Sequence, residues 1–225
     1  MKFGVVRFPG SCDEIDAALA CEQQGEAEIL WHGDRDLKGA DAVVIPGGFS
    51  YGDYLRVGAI AQFSPVMEAV AKFAHDGGPV LGICNGFQVL CEAGLLPGAL
   101  LPNSELRFLC RQVDVEVVNA DTPFTGACGE GEVLSIPVKH TTGRYYAPEG
   151  VLDELEAHDQ IILRYSAGHN PNGSLRDIAG VCNRQKNVMG LMPHPEHAVD
   201  PLTGSVDGGR LFESIVAHAG ELVPA

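Results

Sequence analysis

The stretch Gly82-Ile83-Cys84-Asn85-Gly86 decides how this chain folds, because it joins a predicted strand to a predicted helix through a very tight turn. The apolar run Pro79-Val80-Leu81 precedes it, and residues 87–91 follow with helical spacing. Glycine suits both flanks since such a turn crowds any Cβ. The free N–H groups and the dipole at the start of the helix favour a thiolate. Cys84 is therefore predicted to be a nucleophile thrust into solvent.

Composition limits the class of protein. The 225 residues are 45% hydrophobic and include 28 glycines, which predicts one α/β domain spanning residues 1–225. The net charge of −15, with scattered basic residues, would repel a phosphate backbone, so no nucleic acid partner is expected. No apolar run has membrane-spanning length, and the amino terminus reads into a strand without signal-peptide features. We expect a soluble, cytoplasmic protein with no membrane partner.

Cysteine usage agrees with a reducing compartment. Seven cysteines at irregular spacing, without a C-x-x-C pair, argue against a disulfide framework and against structural zinc. The six cysteines other than Cys84 are expected to behave as small hydrophobic residues.

Strand-like and helix-like runs alternate as far as Pro102, which predicts a mostly parallel sheet flanked by helices. The expected elements here are strands at 2–8, 28–32, 42–45 and 80–83, and helices at 12–24 and 65–75 with Ser11 and Ser64 as N-caps. Later runs predict an added antiparallel portion. They are strands at 108–118, 132–138 and 160–165, a hairpin of 179–183 with 188–192, and a helix at 209–218.

Ligands of such sheets bind at the carboxyl ends of the strands, where the loops 47–54, 84–86 and 193–197 are expected to converge. A cysteine nucleophile needs a base and a group that orients the base. Pro195 pushes His194 towards extended geometry, so that Glu196 projects to the same side and reaches one imidazole nitrogen. The other nitrogen is then free to face Cys84. His194 is the predicted base and Glu196 its orienting acid.

Acyl transfer also needs N–H donors for the developing oxyanion. The backbone N–H groups of Asn85 and Gly48 are the candidates. Gln88, one helical turn after Cys84, could hydrogen-bond an amide substrate or be an ordinary helix residue. Arg107 could pair with a substrate carboxylate or be a surface arginine.

Two other kinds of site fit poorly. The segment from Gly47 to Gly52 has the spacing of a phosphate loop, but Asp53 and Tyr54 stand where Lys and Ser/Thr are required. His194 to His197 is not H-E-x-x-H, and Pro195 prevents the helix which that metal motif needs. We predict neither a nucleotide site nor a metal site.

Taken together, Pro46-Gly47-Gly48, residues 82–88 and Pro193-His194-Pro195-Glu196 resemble the class I (triad) glutamine amidotransferases. Further patches resemble the glutaminase subunits that serve purine biosynthesis, and they span nearly the whole chain in order. They are residues 8–13, 47–56, 101–103, 170–174, and His140 with 143–146.

The resemblance implies a flavodoxin-like amidotransferase fold in which Cys84 attacks the side-chain amide of L-glutamine. His194, oriented by Glu196, would move the proton to the departing ammonia, and water would then release glutamate. No cofactor is expected in this subunit. A separate large synthetase subunit would use ATP and Mg with the ammonia, and a small third subunit would bridge the two.

The chain departs from the family pattern at three places: Ser11 is followed directly by Cys12 without an intervening Asn, Thr141-Thr142 follows His140, and His197 follows Glu196. Two alternatives stay open from the residues alone. One is the glutaminase of another synthase, such as that for guanylate or pyridoxal phosphate, and the other is a non-catalytic module that senses redox state through Cys84.

Overall fold

Four parallel strand pairings and four antiparallel ones build a nine-stranded sheet in the computed structural model, which describes residues 1–221. The order is β2-β1-β3-β4-β11-β10-β9-β6-β7, parallel from β2 to β11 and antiparallel beyond it. A separate antiparallel pair joins β5 and β8. The strands are β1 (Lys2–Arg7), β2 (Glu26–Trp31), β3 (Ala42–Ile45), β4 (Val80–Ile83), β5 (Ala99–Pro102), β6 (Leu109–Val117), β7 (Val133–His140), β8 (Thr142–Tyr146), β9 (Ile161–Tyr165), β10 (Ile178–Cys182) and β11 (Val188–Leu191).

The order of the parallel half, with β11 as its fifth strand, is that of flavodoxin-like sheets. Helix α1 packs on β1 and β2, and α3 packs on β4 and β11. The helices are α1 (Glu14–Glu22), α2 (Pro65–His75), α3 (Asn85–Glu92), α4 (Glu149–Ala157) and α5 (Gly209–Glu221). The predicted fold class, a mostly parallel sheet with helices and an antiparallel portion, is confirmed.

Strands β3 and β4 and helix α2 have the predicted bounds. Both β3 and β4 are buried along their whole length, as expected for central strands of a parallel sheet. The hairpin of β10 and β11 is antiparallel as predicted. Among the described residues, no helix has the length and apolar character needed to cross a membrane.

The prediction of Ser11 as N-cap was wrong. Helix α1 begins after Asp13, and the Ser11 hydroxyl instead accepts a hydrogen bond of 3.0 Å from the Phe8 N–H. Ser64 does occupy the N-cap position of α2, but its hydroxyl bonds the Tyr51 hydroxyl at 2.8 Å and makes no cap hydrogen bond. Both serines stabilise loops rather than helix ends.

Strands β5 and β8 and helix α4 were not predicted from the sequence. Strands β5 and β8 have four and five residues and pair only with each other, so they carry little periodic signal. Helix α4 buries only Leu152 and Leu155 against the fold, and this narrow apolar stripe was overlooked. None of the three carries a residue of the predicted triad.

Candidate functional site

Cys84 lies at the sharp junction of β4 and α3. Its backbone has φ 49° and ψ −101°, a left-handed conformation that non-glycine residues seldom adopt. Its N–H donates to the Leu191 carbonyl at 2.8 Å, which ties the junction to β11. A Cβ at Gly86 would lie 1.9 Å from the Ile45 carbonyl oxygen, so only glycine lets α3 approach β3 this closely. The geometry is that of a nucleophile elbow.

The expectation that the Cys84 side chain projects into solvent was wrong, because the residue is only 6% exposed. The end of β7 covers it, and the Sγ atom lies 4.0 Å from the Lys139 carbonyl oxygen. Cys84 instead lines a cleft together with Gly48, Gln88 and His194. A small ligand therefore reaches the sulfur through this cleft.

His194 and Glu196 come from the turn that follows β11. Nδ1 of His194 donates to Oε1 of Glu196 at 2.6 Å, and the two residues are 1% and 3% exposed. The backbone N–H of His194 donates to the Pro137 carbonyl at 2.8 Å, which anchors the turn to β7. Within residues 1–221, His194 Nε2 has no hydrogen-bond partner, and both His194 and Cys84 line the cleft.

Charge around His194 favours its protonated form. Burial alone would lower the pKa of His194, but the Glu196 carboxylate and Cys84 outweigh burial and raise that pKa above its usual range. An imidazole that accepts a proton readily suits a base for a thiol.

The two predicted oxyanion donors flank the elbow. Gly48 has φ +145°, and a Cβ there would lie 2.7 Å from both the Cys12 nitrogen and the Gly10 oxygen. In the described part of the chain, neither the Gly48 nor the Asn85 N–H donates to another protein group. Gly48 lines the cleft, and Asn85 follows Cys84 directly as the first residue of α3. Both N–H groups are thus available for a ligand.

Asn85 also connects these two loops. Its Oδ1 accepts from the Ser50 N–H at 3.1 Å, and its Nδ2 donates to Gln88 Oε1 at 3.0 Å. Gln88 lines the cleft and donates from Nε2 to the Thr142 carbonyl at 2.6 Å. The Gln88 side chain thereby holds the segment that follows β7 over the elbow.

Arg107 is exposed, and it is its neighbour Phe108 that lines the cleft. The Arg107 carbonyl accepts from Asn103 Nδ2 at 2.9 Å, so its backbone is fixed while its side chain is on the surface. The structure therefore brings Gln88 to the cleft but leaves Arg107 at its edge.

Asp13, which was not among the predicted site residues, lies beside His194 in the structure. Its Oδ2 lies 3.7 Å from His194 Nδ1, and its Oδ1 contacts Lys139 Nζ and lies 3.4 Å from His197 Nε2. Asp13 follows the carboxyl end of β1, the edge at which ligands bind in such sheets, and this position was the available signal.

Asp13, His194, Glu196 and His197 offer ligand atoms within 4.8 Å of one another, an arrangement that could hold a metal ion. However, the Lys139 ammonium already pairs with Oδ1 of Asp13, and Oε1 of Glu196 is engaged with His194 Nδ1. A cation would have to displace both contacts. The donor set thus suits proton chemistry better than metal binding.

A second overlooked carboxylate, that of Asp53, lines the cleft. Its backbone has φ 55°, and its Oδ1 is buried without a hydrogen-bond partner among the described residues. Burial raises the pKa of Asp53 to about 6. A buried oxygen without a donor is costly, so this carboxylate is ready to accept a hydrogen bond from a ligand.

His140 is a neutral neighbour of the site. Burial, aided by the positive charge of His194, lowers the pKa of His140 to about 3. Its Nε2 accepts from Asn172 Nδ2 at 3.1 Å, and its ring lines the cleft. It adds polar surface without charge at neutral pH.

Comparison with known proteins identifies relatives over nearly the whole chain. A CobB/CobQ-like glutamine amidotransferase domain matches residues 1–214. The phosphoribosylformylglycinamidine synthase subunit PurQ of Rubrobacter xylanophilus is 58% identical over 97% of this chain and 99% of its own. That of Mycobacterium tuberculosis is 59% identical over 95% of each chain. A chain in the structure of PurLQS from Thermotoga maritima superposes with a TM-score of 0.89 at 45% identity, covering 97% of this chain and 98% of that one.

Proposed function

Since the chain belongs to the CobB/CobQ-like glutamine amidotransferases and, within them, to the PurQ glutaminase subunits of phosphoribosylformylglycinamidine synthase, we propose that Cys84, His194 and Glu196 carry out its glutamine hydrolysis. The activity releases ammonia, which the synthase uses to convert formylglycinamide ribonucleotide to formylglycinamidine ribonucleotide in purine biosynthesis. The chemistry of the cleft indicates which residues perform the hydrolysis.

In the first step, Cys84 gives its proton to His194 Nε2, whose protonated form the surrounding charge favours, and the thiolate Sγ attacks the carbonyl carbon of the glutamine side-chain amide. Glu196 keeps the proton of Nδ1 in place and stabilises the imidazolium. The N–H groups of Gly48 and Asn85 receive the oxyanion. The hydrogen bond from the Ser50 N–H to Asn85 Oδ1 joins the two loops that carry these donors, which supports their acting together.

In the second step, the tetrahedral intermediate expels the amide nitrogen, which takes the proton from His194 Nε2 and leaves as ammonia. A glutamyl thioester remains on Cys84. His194 then removes a proton from water, which attacks the thioester carbonyl and releases glutamate and the thiol. The net reaction converts glutamine and water to glutamate and ammonia.

Recognition of the amino acid end falls to the mouth of the cleft. We assign the α-ammonium group of L-glutamine to Asp53, whose buried Oδ1 has no protein partner in the described chain. Gln88 contributes by fixing the Thr142 carbonyl over the elbow. Arg107, at the edge, would need to swing inwards to meet the α-carboxylate.

The ammonia acceptor is proposed to be a large synthetase subunit of the PurL type, which uses ATP and Mg, with a small bridging subunit of the PurS type. The PurLQS assembly of the Thermotoga relative supports this arrangement. This subunit itself is proposed to need no cofactor and to act in the cytoplasm as one domain.

The observation that carries the residue assignment is the unpartnered Nε2 of a buried His194, held by Glu196 in the cleft that Cys84 also lines. The other-synthase alternative loses ground because the curated relatives that are 58% and 59% identical to this chain are PurQ subunits. The redox-sensor alternative does not explain a base held beside the thiol.

Covalent labelling tests the proposal. A chloroketone analogue of glutamine should alkylate Cys84, as read by peptide mass spectrometry, and Cys84→Ser should abolish the adduct. Cys12 is the matched control, since it also lines the cleft and is exposed. Cys12→Ser should label normally. An adduct on Cys12 instead of Cys84 would overturn the assignment of the nucleophile.

A further inference from the structure

Asp13 is buried at the start of α1, only 3% exposed, and faces the imidazole of His194. Glu196 and Asp13 approach the same atom: Oε1 lies 2.6 Å and Oδ2 lies 3.7 Å from Nδ1. The first distance is a hydrogen bond, whereas the second is an electrostatic contact. The base of the proposed triad thus has two carboxylates on one side.

The backbone is built to allow this approach. A Cβ at Gly47 would lie 2.3 Å from Asp13 Oδ2 and 2.7 Å from His194 Cε1, so a larger residue would push the two side chains apart. The Gly47 carbonyl also accepts from the N–H groups of Cys12 and Asp13, at 3.2 and 3.3 Å. The segment that carries Asp13 is thereby attached to the loop that carries Gly48.

Asp13 is kept ionised by the groups on its other side. Burial alone would raise its pKa, but the hydrogen bonds from His197 and Lys139 and the charge of His194 outweigh burial and hold the pKa of Asp13 well below its usual range. Lys139 Nζ contacts Oδ1, on the side of the carboxylate away from His194. A permanent negative charge therefore faces the imidazole.

We propose that Asp13 is a positioning residue of the glutaminase site, a second carboxylate that stabilises the protonated form of His194 and is itself held by Lys139 and His197. The proposal rests on the proposed function. It adds a fourth side chain to the triad, one that acts on the reaction through His194.

The charge on His194 depends on every group packed around it. These groups are Glu196 and His197 from its own turn, Cys84 from the elbow, Lys139 and His140 from β7, and Asp13 from α1. Asp13 and Lys139 carry opposite charges. Removing Asp13 should therefore lower the pKa of His194, and removing Lys139 should raise it.

The test is the pKa of His194 measured by NMR titration of its ring signals in the full chain, with Cys84→Ser as background to remove the coupled thiol. Asp13→Asn should lower this pKa by about one unit, a tenfold change in the protonation equilibrium. Lys139→Met, which leaves Asp13 uncompensated, should raise it. Two shifts of the same sign, or none, would overturn the proposal, since loss of packing alone gives no reason for opposite signs.

Kinetics in the assembled synthase gives a second readout. With Cys84 restored, Asp13→Asn should lower kcat for glutamine about tenfold and leave KM within twofold. A rise in KM at unchanged kcat would mean that Asp13 contacts the substrate and would refute a role through His194. Should Asp13→Asn fail to fold, a Lys139→Met titration without a rise in the pKa of His194 still overturns the proposal.

Separate experiments test the role of Asp13 and the proposed function. Cys84→Ser in the otherwise native chain tests the function alone, through loss of glutamine hydrolysis. The His194 titration needs no turnover. If Cys84→Ser is inactive but Asp13→Asn leaves the pKa of His194 unshifted, the proposed role of Asp13 is refuted and the proposed function stands.

Discussion

His194 and Glu196, two residues apart, share a hydrogen bond of 2.6 Å between Nδ1 and Oε1 in a site that solvent hardly reaches. Pro195 between them makes a helical conformation unfavourable for His194, whose φ of −106° and ψ of 88° direct both side chains to one side. The pair is assembled by local chain geometry, whereas its position beside Cys84 depends on the sheet.

Replacing Cys84 should separate the two halves of the synthase reaction. Cys84→Ser is expected to abolish glutamine-dependent product formation and to leave synthesis from added ammonia unchanged, because only ammonia generation is lost. Product formation by the reconstituted complex with each nitrogen source measures this. Glutamine-driven product with the variant would remove Cys84 from the mechanism.

The base and its orienting acid should differ in importance. His194→Ala should slow thioester formation by at least about 100-fold, the usual contribution of general acid–base catalysis. Glu196→Gln keeps a hydrogen-bonding side chain and should lose less. Single-turnover acylation rates compare the two, and an equal or deeper loss in Glu196→Gln would contradict this ranking.

Asp53 should govern recognition of the substrate ammonium group. Asp53→Asn tolerates the left-handed backbone but removes the charge, and should raise KM for glutamine about 10- to 100-fold, the value of a hydrogen bond to a charged group. With an analogue that lacks the α-amino group, the variant and the wild type should be equal. Asp159→Asn is the control, since Asp159 also has a left-handed backbone, φ 52°, and lies outside the cleft.

The same carboxylate predicts a pH effect. Its pKa of about 6 means that Asp53 becomes protonated as the pH falls below 6, so KM for glutamine should rise there. In Asp53→Asn this part of the pH profile should be flat. A wild-type KM that stays constant from pH 7 to 5 would exclude Asp53 as the ammonium site.

Gly86 should be essential for folding. In Gly86→Ala the new Cβ meets the Ile45 carbonyl oxygen at 1.9 Å, and relieving this clash should cost about 1–3 kcal/mol or more in the free energy of unfolding. Gly150→Ala is the matched control in α4, where a Cβ meets no atom within 4 Å and should be neutral or stabilise by up to about 1 kcal/mol. Urea unfolding measures both, and similar stabilities would contradict the close packing of α3 on β3.

His140 should make folding sensitive to acid. Its folded pKa of about 3 lies below the ordinary 6.5, so between these values the unfolded chain binds a proton that the folded chain rejects. Its contribution to stability is therefore full above pH 6.5 and falls by about 1.4 kcal/mol per pH unit below it. We expect the free energy of unfolding of His140→Gln to fall less steeply with decreasing pH, by this amount, when it is measured by urea unfolding from pH 6.5 to 4.5. Equal slopes would show that His140 is protonated normally.

Part of the candidate site follows from local sequence, and this has a physical basis. The elbow and the His194–Glu196 turn depend on residues that are neighbours in the chain, and their local constraints, tight glycine turns and a proline, can be read directly. Gly48 was accessible too, because carboxyl ends of parallel strands meet at one edge. By contrast, Asp13 contacts Lys139, a residue 126 positions away, so no local sequence pattern predicts this contact.

What the chain determined by itself is the alternation of strands and helices, the elbow at Cys84 and the turn that joins His194 to Glu196, since each depends on short-range sterics and periodic burial. Only the tertiary structure decided that Cys84 is covered by the end of β7, that Asp53 has a buried oxygen without a partner, and that Asp13 faces the imidazole. These features arise where distant segments exclude water together, and burial and electrostatics at such places depend on the whole sheet and not on any one stretch of sequence.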